Sequence, residues 1–312
     1  MLTIAVVVPT FQRPDDLIRC LKALERQTRK PEEVLVVARP GDAGTQRLLE
    51  GLWNLPITPV AVMEPGQVAA LNAGISAAAS EIIAITDDDA APHANWLARI
   101  EKHFLTNQRL GGLGGRDWIQ PEDNSSVTRV KDIIGKIQWF GRIVGNHHLG
   151  VGKPREVDVL KGANMSYRRT AIQSLQFDPN LQGRGAQVNN DLAFSLSVKR
   201  RGWRLVYDPA VAVDHYPSVR HDIDQRGEFH PEATYNAAFN LLWATQSELT
   251  GWKRWATRQW QEWIGTRGEP GLMRFLRVAA IRDQSAIARF KAARQGRFDA
   301  RRALRGREKA TG

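Results

Sequence analysis

The chain has 312 residues, of which 42% are hydrophobic, and it carries a formal net charge of +11. Its only cysteine, Cys20, excludes an intramolecular disulfide and a cysteine-based metal cluster. There is no uncharged apolar run of about 18 residues, and the apolar N-terminus lacks a basic leader and is broken by Pro9. We therefore expect neither a membrane-spanning helix nor a signal peptide.

Short apolar runs alternate with amphipathic runs over the first third of the chain. The expected strands are Ile4–Val8, Val34–Val37, Ile57–Val62 and Glu81–Thr86. The expected helices carry the apolar positions Leu17, Leu21 and Leu24, then Leu48, Leu49 and Leu52, then Val68, Leu71 and Ile75, then Trp96, Leu97, Ile100 and Phe104. Such an alternation with short connections predicts an α/β fold, with a mostly parallel sheet flanked by helices on both faces.

The remaining two thirds are less regular. The glycine-rich run 111–115 and the stretch around His147 and His148 are typical of loops and short strands. We expect a helix over Asp191–Arg200 and a strand over Arg204–Tyr207, and the pattern is helical from about Pro231. The sequence thus predicts one α/β domain over residues 1–230 and a helical, basic region over residues 231–312.

Polar segments follow three of the expected strands, at Pro9–Arg13, Ala38–Asp42 and Asp87–Asp89. Ligands bind at the carboxyl ends of strands in such sheets, so these segments predict a ligand-binding cleft. Three adjacent carboxylates repel one another, and a hard divalent cation bound through their oxygens compensates that repulsion. The alternative for the triplet is an exposed acidic turn or a helix N-cap.

Six short segments, taken in chain order, carry a more specific signal. They are Val7–Arg13, Gly66–Gly74, Thr86–Asp89, Lys161–Arg169, Asn190–Leu192 and Asp214–His215. Together the segments resemble the family 2 glycosyltransferases of the GT-A fold, over about residues 3–217. The resemblance implies an inverting transfer of a sugar from a nucleotide-diphosphate sugar to a hydroxyl of a glycan or lipid-linked acceptor, as in polysaccharide biosynthesis. It also implies assistance by Mg²⁺ or Mn²⁺.

The resemblance further assigns site residues. It implies that the nucleotide-sugar contacts Pro9, Thr10, Phe11, Arg13, Gln67, Asn72, Asp87 and Asp88. We expect Arg39 and Asp42 at the same site, although they depart from the family's pattern. It implies a metal bound by Asp89, the last acid of the Asp-x-Asp motif, and by His215, although a histidine after a strand is more often an ordinary hydrogen-bonded residue. Gly162 and Asn164 are expected on the acceptor side, although a strand-to-helix turn selects the same residue types.

Asp191 is expected by analogy to be the base that deprotonates the acceptor hydroxyl. It directly precedes a helix-like run, so an N-cap is the alternative, and the two roles are compatible. Asn190 stands where the family has an acid. Arg39 marks a second departure, because the family's second strand ends in an acid that contacts the nucleotide base. Either Asp42 substitutes from the loop, or Arg39 contacts the base or a phosphate, or Arg39 is a solvated loop residue.

The positive charge is concentrated at the C-terminal end, since residues 251–312 contain 16 lysines and arginines but five acids. Trp252, Trp255, Trp260 and Trp263 fall on one side of a helical wheel, among basic residues. This pattern suits an anionic membrane surface, and packing of the tryptophans on the core is the alternative. Nucleic-acid binding has the charge but no accompanying motif. We expect a cytoplasmic protein, peripheral at the inner face of the membrane in the first case.

Two other functions fit parts of the sequence. A nucleotidyltransferase shares an α/β sheet and an acidic metal site, but usually has a glycine-rich phosphate loop where this chain has Pro9–Arg13. A catalytically inactive nucleotide-sugar-binding module fits the departures at Arg39 and Asn190. A dehydrogenase is disfavoured, because no Gly-x-Gly-x-x-Gly follows the first strand.

Overall fold

A computed structural model describes residues 1–120, 130–218, 229–279 and 284–311. A mixed sheet of nine strands forms its centre. The strands of this sheet are β1 Ile4–Pro9, β2 Glu33–Ala38, β3 Ile57–Ala61, β4 Ile82–Ile85, β5 Ala90–Pro92, β6 Leu110–Ile119, β9 Arg155–Val157, β10 Met165–Arg168 and β11 Arg204–His215. A separate two-stranded hairpin consists of β7 Lys136–Ile137 and β8 Ile143–Val144.

Helices lie on both faces of the sheet. They are α1 Pro14–Glu25, α2 Ala43–Leu49, α3 Gln67–Ala77, α4 Trp96–Thr106, α5 Arg169–Ile172, α6 Asn190–Arg200, α7 Pro231–Glu248, α8 Gly251–Trp263, α9 Leu272–Ala279 and α10 Gln284–Thr311. Helix α1 illustrates why they form, since Pro14 occupies its first turn and Leu17, Leu21 and Leu24 are fully buried at helical spacing.

The strand order is β3-β2-β1-β4-β10-β6-β11-β5, with β9 paired to β11. The pairs among β1 to β4 and the β6–β11 pair are parallel, whereas β10 runs antiparallel between β4 and β6. Strand β1 is buried on both faces, because Ala5 and Val7 belong to one apolar cluster and Val6 and Val8 to the other. The mixed, mostly parallel sheet confirms the expected fold class.

The expectation of loops and short strands around residues 111–115 is wrong. These glycines lie in β6, a strand of ten residues. A Cβ atom at Gly115 would lie 1.5 Å from the carbonyl oxygen of Val211, and one at Gly111 would lie 2.4 Å from Cβ of Trp203. The glycines therefore permit β11 and its neighbours to approach β6 closely, rather than breaking the strand.

Strand β11 extends well beyond the expected end at Tyr207. Its register with β6 shifts between Asp208 and Val213, and it continues until His215 lies opposite Ala90 of β5 and Ile119 of β6. This register places His215 beside the acidic residues that precede β5.

From Pro231 onward the described residues are mainly helical, and residues 280–283 and 312 lie outside the described part. Helix α10 packs along α7, where a Cβ at Gly296 would lie 2.4 Å from the carbonyl oxygen of Tyr235. The hydroxyl of Tyr235 also donates to Asp299, at 3.1 Å. The domain boundary near residue 230 stays a prediction. Among the described residues, no helix combines the length and apolar character needed to span a bilayer.

Candidate active site

A cleft of about 230 Å³ opens at the carboxyl ends of β1, β2 and β4. It is lined by Pro9, Thr10, Phe11, Arg13, Arg39, Val62, Glu64, Pro65, Gly66, Gln67, Ala70, Asp87, Asp88, Asp89, Arg184, Gly185, Ala186 and Ser218. Nine of the expected site residues are therefore brought together. Glu64, Arg184 and Ser218 also line the cleft but were not expected, because they lie outside the six segments that resemble the family.

The acidic triplet connects β4 to β5, and its members differ in their partners. Asp88 is buried and accepts hydrogen bonds from the hydroxyl of Thr10 at 2.8 Å and from the Arg13 guanidinium at 3.2 Å. Burial nevertheless raises the pKa of Asp88 to about 7, against the opposing effect of Arg13. Burial, followed by the charge of Asp89, raises the pKa of Asp87 to about 6. The triplet is thus a buried cluster, not an exposed acidic turn.

Asp89 lies against the end of β11. Its Oδ2 accepts a hydrogen bond from the backbone of Ser218 at 3.1 Å, and its Oδ1 lies 3.3 Å from Nε2 of His215. Burial opposes ionisation of Asp89, but the interaction with His215 prevails and lowers the pKa of Asp89. Burial likewise lowers the pKa of His215, but its contacts with Asp117 and Asp89 prevail and raise that pKa to about 9.

Asp87, Asp89 and His215 form a candidate metal site. Each offers a ligand atom, and these atoms lie within 4.8 Å of one another. Within the described residues, Asp89 Oδ1 and both ring nitrogens of His215 are buried without a hydrogen-bond partner. Buried polar atoms are rarely left unpaired, so one of these ring nitrogens and the two carboxylates fit a divalent cation.

Asp117 was missed by the sequence analysis. It lies on β6, is 1% exposed, and places Oδ2 3.6 Å from Nδ1 of His215. The same oxygen binds the ammonium group of Lys161. Burial raises its pKa, but His215 and Lys161 prevail and lower the pKa of Asp117 to about 2. The glycine run ends two residues before this acid, and its expected loop structure gave no reason to place Asp117 beside the site.

Phe11 and Arg39 lie together at another part of the cleft. The guanidinium of Arg39 lies 5.4 Å from the ring centroid of Phe11, whose exposed fraction is 36%. Asp42, by contrast, does not line the cleft and caps α2. It accepts hydrogen bonds from the backbone and hydroxyl of Thr45 at 3.1 and 2.8 Å, and from the backbone of Gln12 at 2.6 Å. Asp42 therefore holds the loop that carries Phe11.

Gln67 and Asn190 connect the triplet to α6. The Gln67 amide donates to Asp87 at 3.4 Å and accepts from Asn190 at 3.4 Å. Asp191 is partly exposed in the first turn of α6, and Asn189 occupies the cap position in its place. The carboxylate of Asp191 accepts hydrogen bonds from the backbone of Leu192 at 2.8 Å and of Gly162 at 3.3 Å.

The other expected residues lie outside the cleft. Asn72 forms two hydrogen bonds with the backbone of Phe177, at 2.9 and 2.8 Å. Asn164 is buried, where it accepts from the Trp96 indole at 2.9 Å and donates to the carbonyl of Val211 at 2.7 Å. These two amides join elements of the fold. A Cβ at Gly162 would meet no atom within 4 Å, so this residue faces open space.

Comparison with known sequences identifies a family. Residues 3–229 match the family described as "Glycosyltransferase like family 2". Glycosyltransferase AglE of Haloferax volcanii is 31% identical over 102 residues, which are 31% of this chain and 33% of AglE. The uncharacterized glycosyltransferase YwdF of Bacillus subtilis is 33% identical over 90 residues, 28% of this chain and 32% of YwdF. The matched part thus spans about a third of the length of these curated relatives.

Solved structures are similar to this chain in fold more than in sequence. The mannosyltransferase PcManGT of Pyrobaculum calidifontis, in complex with GDP-Man and Mn²⁺, superposes with a TM-score of 0.55 at 19% identity, over 92% of this chain and 78% of that one. TarS 1–349 of S. aureus, in complex with UDP, gives a TM-score of 0.56 at 14% identity, over 84% of this chain and 71% of that one. These likenesses show the GT-A fold.

Proposed function

Because the chain belongs to glycosyltransferase family 2, we propose that it transfers a sugar from a nucleotide-diphosphate sugar to an acceptor hydroxyl with inversion. The observation that carries the proposal is the cleft at the strand ends. Asp87 and Asp89 line one part of it, with His215 3.3 Å from Asp89, and Phe11 and Arg39 line another. A cleft with paired acids at one part and an aromatic ring at another suits a ligand that has a diphosphate and a nucleobase.

The donor is proposed to lie along this cleft. The exposed ring of Phe11 offers a stacking surface for the nucleobase, and the guanidinium of Arg39 lies over the same ring. Arg13 and Arg184, which also line the cleft, suit phosphate oxygens. The solved relatives with GDP-Man, UDP and UDP-GlcNAc support a nucleotide-sugar donor.

Asp89 and His215, with Asp87, are the residues proposed to hold Mg²⁺ or Mn²⁺. Such an ion supplies Lewis-acid charge against the leaving diphosphate. The chain's own part is to fix the ligands, since Ser218 binds the second oxygen of Asp89 and Asp117 faces the second nitrogen of His215. The Mn²⁺ in the PcManGT complex supports this assignment.

Asp191 is proposed as the base. Its carboxylate is held by the backbone of Leu192 and Gly162 and remains partly exposed, so it can accept a proton from a hydroxyl placed beside Gly162. Inversion follows when the deprotonated acceptor oxygen attacks the anomeric carbon on the face opposite the leaving diphosphate, so that the new glycosidic bond forms as the bond to the diphosphate breaks. Open space at Gly162 leaves room for an acceptor there.

Contact with an anionic membrane surface is proposed for an aromatic patch formed by Trp139, Phe140, Trp252 and Trp255. The hairpin of β7 and β8 meets α8 here, where the Trp252 indole donates to the carbonyl of Trp139 at 2.9 Å. Trp139, Trp252 and Trp255 are 75%, 58% and 52% exposed. Exposed indoles next to the basic end of the chain suit the headgroup region of a cytoplasmic membrane face, and thus a lipid-linked acceptor.

A donor hydrolysis assay across GDP- and UDP-sugars, with Mn²⁺ or with EDTA, tests the proposal. We expect Mn²⁺-dependent release of a nucleoside diphosphate, and its loss in Asp89→Asn. Asp191→Asn should bind the donor as the wild type does but lose transfer. Formation of a sugar 1-phosphate and a nucleoside triphosphate when pyrophosphate is added would instead support a nucleotidyltransferase. Donor binding without turnover would support an inactive binding module.

The membrane contact has a separate test. We expect the protein to sediment with vesicles that contain about one third phosphatidylglycerol, and less with pure phosphatidylcholine. Trp139→Ser should weaken this binding, whereas Leu52→Ser, a fully exposed apolar control, should not. Equal binding of both variants would contradict the assignment of the patch.

A further inference from the structure

Asp117 is the most buried acid near the candidate metal site, and it does not line the cleft. It lies on β6 opposite Val213 of β11, two residues before His215. This register places the carboxylate against the far side of the imidazole, with 3.6 Å between Asp117 Oδ2 and His215 Nδ1. The other nitrogen, Nε2, faces Asp89 at 3.3 Å. The His215 ring thus lies between two carboxylates, one in the cleft and one behind it.

An imidazole that binds a metal through one nitrogen needs its other N–H directed at an acceptor. The acceptor fixes the ring orientation and the tautomer, and it raises the basicity of the ligand nitrogen. Asp117 is the carboxylate that faces Nδ1, and its Oδ1 is buried without a hydrogen-bond partner among the described residues. It is placed to act on His215, not on a substrate.

Lys161 compensates the negative charge of the buried Asp117 carboxylate. Its ammonium group binds the same Asp117 oxygen that faces His215, and its side chain is 34% exposed. Lys161 also precedes Gly162, whose backbone N–H donates to Asp191. One short segment therefore contacts both the residue behind the metal site and the proposed base.

We propose that Asp117 is a positioning residue that orients His215 toward the divalent cation, and that Lys161 is the counter-ion that holds Asp117 in place. This inference rests on the metal site of the proposed function. Removal of the Asp117 charge should weaken metal binding while the fold and the cleft residues remain, because Asp117 does not line the cleft and is not one of the three candidate ligands.

Titration of the full chain with Co²⁺, followed by its visible absorption, tests the inference. Co²⁺ reports the geometry and nitrogen ligation of its site, and the readout needs no turnover. We expect Asp117→Asn to lower Co²⁺ affinity by about tenfold to a hundredfold and to change the absorption bands. Lys161→Gln, which keeps Asp117, should give a smaller loss in the same direction. It also keeps the inference testable if Asp117→Asn does not fold.

Asp208→Asn is the matched control. Asp208 lies on β11, is also buried, and also contacts an imidazole, at 2.7 Å, but that imidazole belongs to His103 and not to His215. The Asp208→Asn variant should bind Co²⁺ with the affinity and spectrum of the wild type. If Asp117→Asn folds and binds Co²⁺ with wild-type affinity and spectrum, the inference is wrong while the metal site stands. If the wild type binds neither Co²⁺ nor Mn²⁺, the metal site of the proposed function is itself wrong.

Discussion

Arg13→Met and Asp88→Asn should have unequal effects on stability, although they break the same ion pair. The charged atoms lie 3.2 Å apart, and the side chains of Arg13 and Asp88 are 22% and 4% exposed. At an effective dielectric constant of about 20, unit charges at this distance attract by about 5 kcal/mol. Partial exposure of Arg13 reduces this value, so Arg13→Met should cost about 2–4 kcal/mol, because it leaves a buried carboxylate beside two others.

Asp88→Asn should cost less than about 1 kcal/mol. The arginine that it leaves behind is near solvent, the new amide still accepts from Thr10, and one negative charge is removed from the cluster. The double variant should then resemble Asp88→Asn alone, so that the two effects are strongly non-additive. Urea unfolding of all four proteins measures this, at pH 8 with EDTA, where the pKa of about 7 leaves Asp88 mostly ionised. Equal or additive losses would refute the reasoning that Arg13 neutralises Asp88.

Three further outcomes are expected. Gly115→Ala should lower the free energy of unfolding by more than about 4 kcal/mol, or prevent folding, because the new Cβ atom would lie 1.5 Å from a carbonyl oxygen. Gly306→Ala is the control and should not destabilise the protein, because no atom lies within 4 Å of its new Cβ. Burial raises the pKa of Asp208 but His103 prevails and lowers it, so this acid stabilises the fold above its unfolded pKa of about 3.9. That stability is lost as the pH falls through the lower folded pKa of Asp208. In Asp208→Asn the melting temperature should therefore fall less steeply with decreasing pH than in the wild type. Phe11→Ala should lower the affinity for UDP or GDP, measured by titration calorimetry, by about tenfold without lowering the melting temperature.

Local periodicity was sufficient to predict most of the first half of the fold. The strand Ile4–Val8 and the helix with Leu17, Leu21 and Leu24 are specified by residues close in sequence, so their burial follows from a period of two or of 3.6. The acidic triplet was placed correctly for the same reason, because it directly follows a buried run. Its convergence with Phe11 follows from parallel strands that end at one edge.

Long-range pairing explains what the sequence did not reveal. Asp117 reaches His215 only because β6 pairs in parallel with β11, nearly 100 residues later, and the glycines that permit this pairing locally favour a loop. Asn72 and Asn164 have the polarity of ligand contacts, but their amides bind backbone groups of distant segments. A residue type alone does not distinguish these two uses.

The charges around the cleft account for the assignment of the metal site. Four acids lie close together, at positions 87, 88, 89 and 117, and among the described residues one arginine and one lysine form ion pairs with two of them. Arg13 pairs with Asp88, and Lys161 pairs with Asp117. Asp87 and Asp89 form no ion pair with a lysine or an arginine of the described residues, and the ring of His215 and the backbone of Ser218 face Asp89. A divalent cation would balance this remaining pair of charges, because two buried carboxylates that share a site otherwise oppose each other's ionisation.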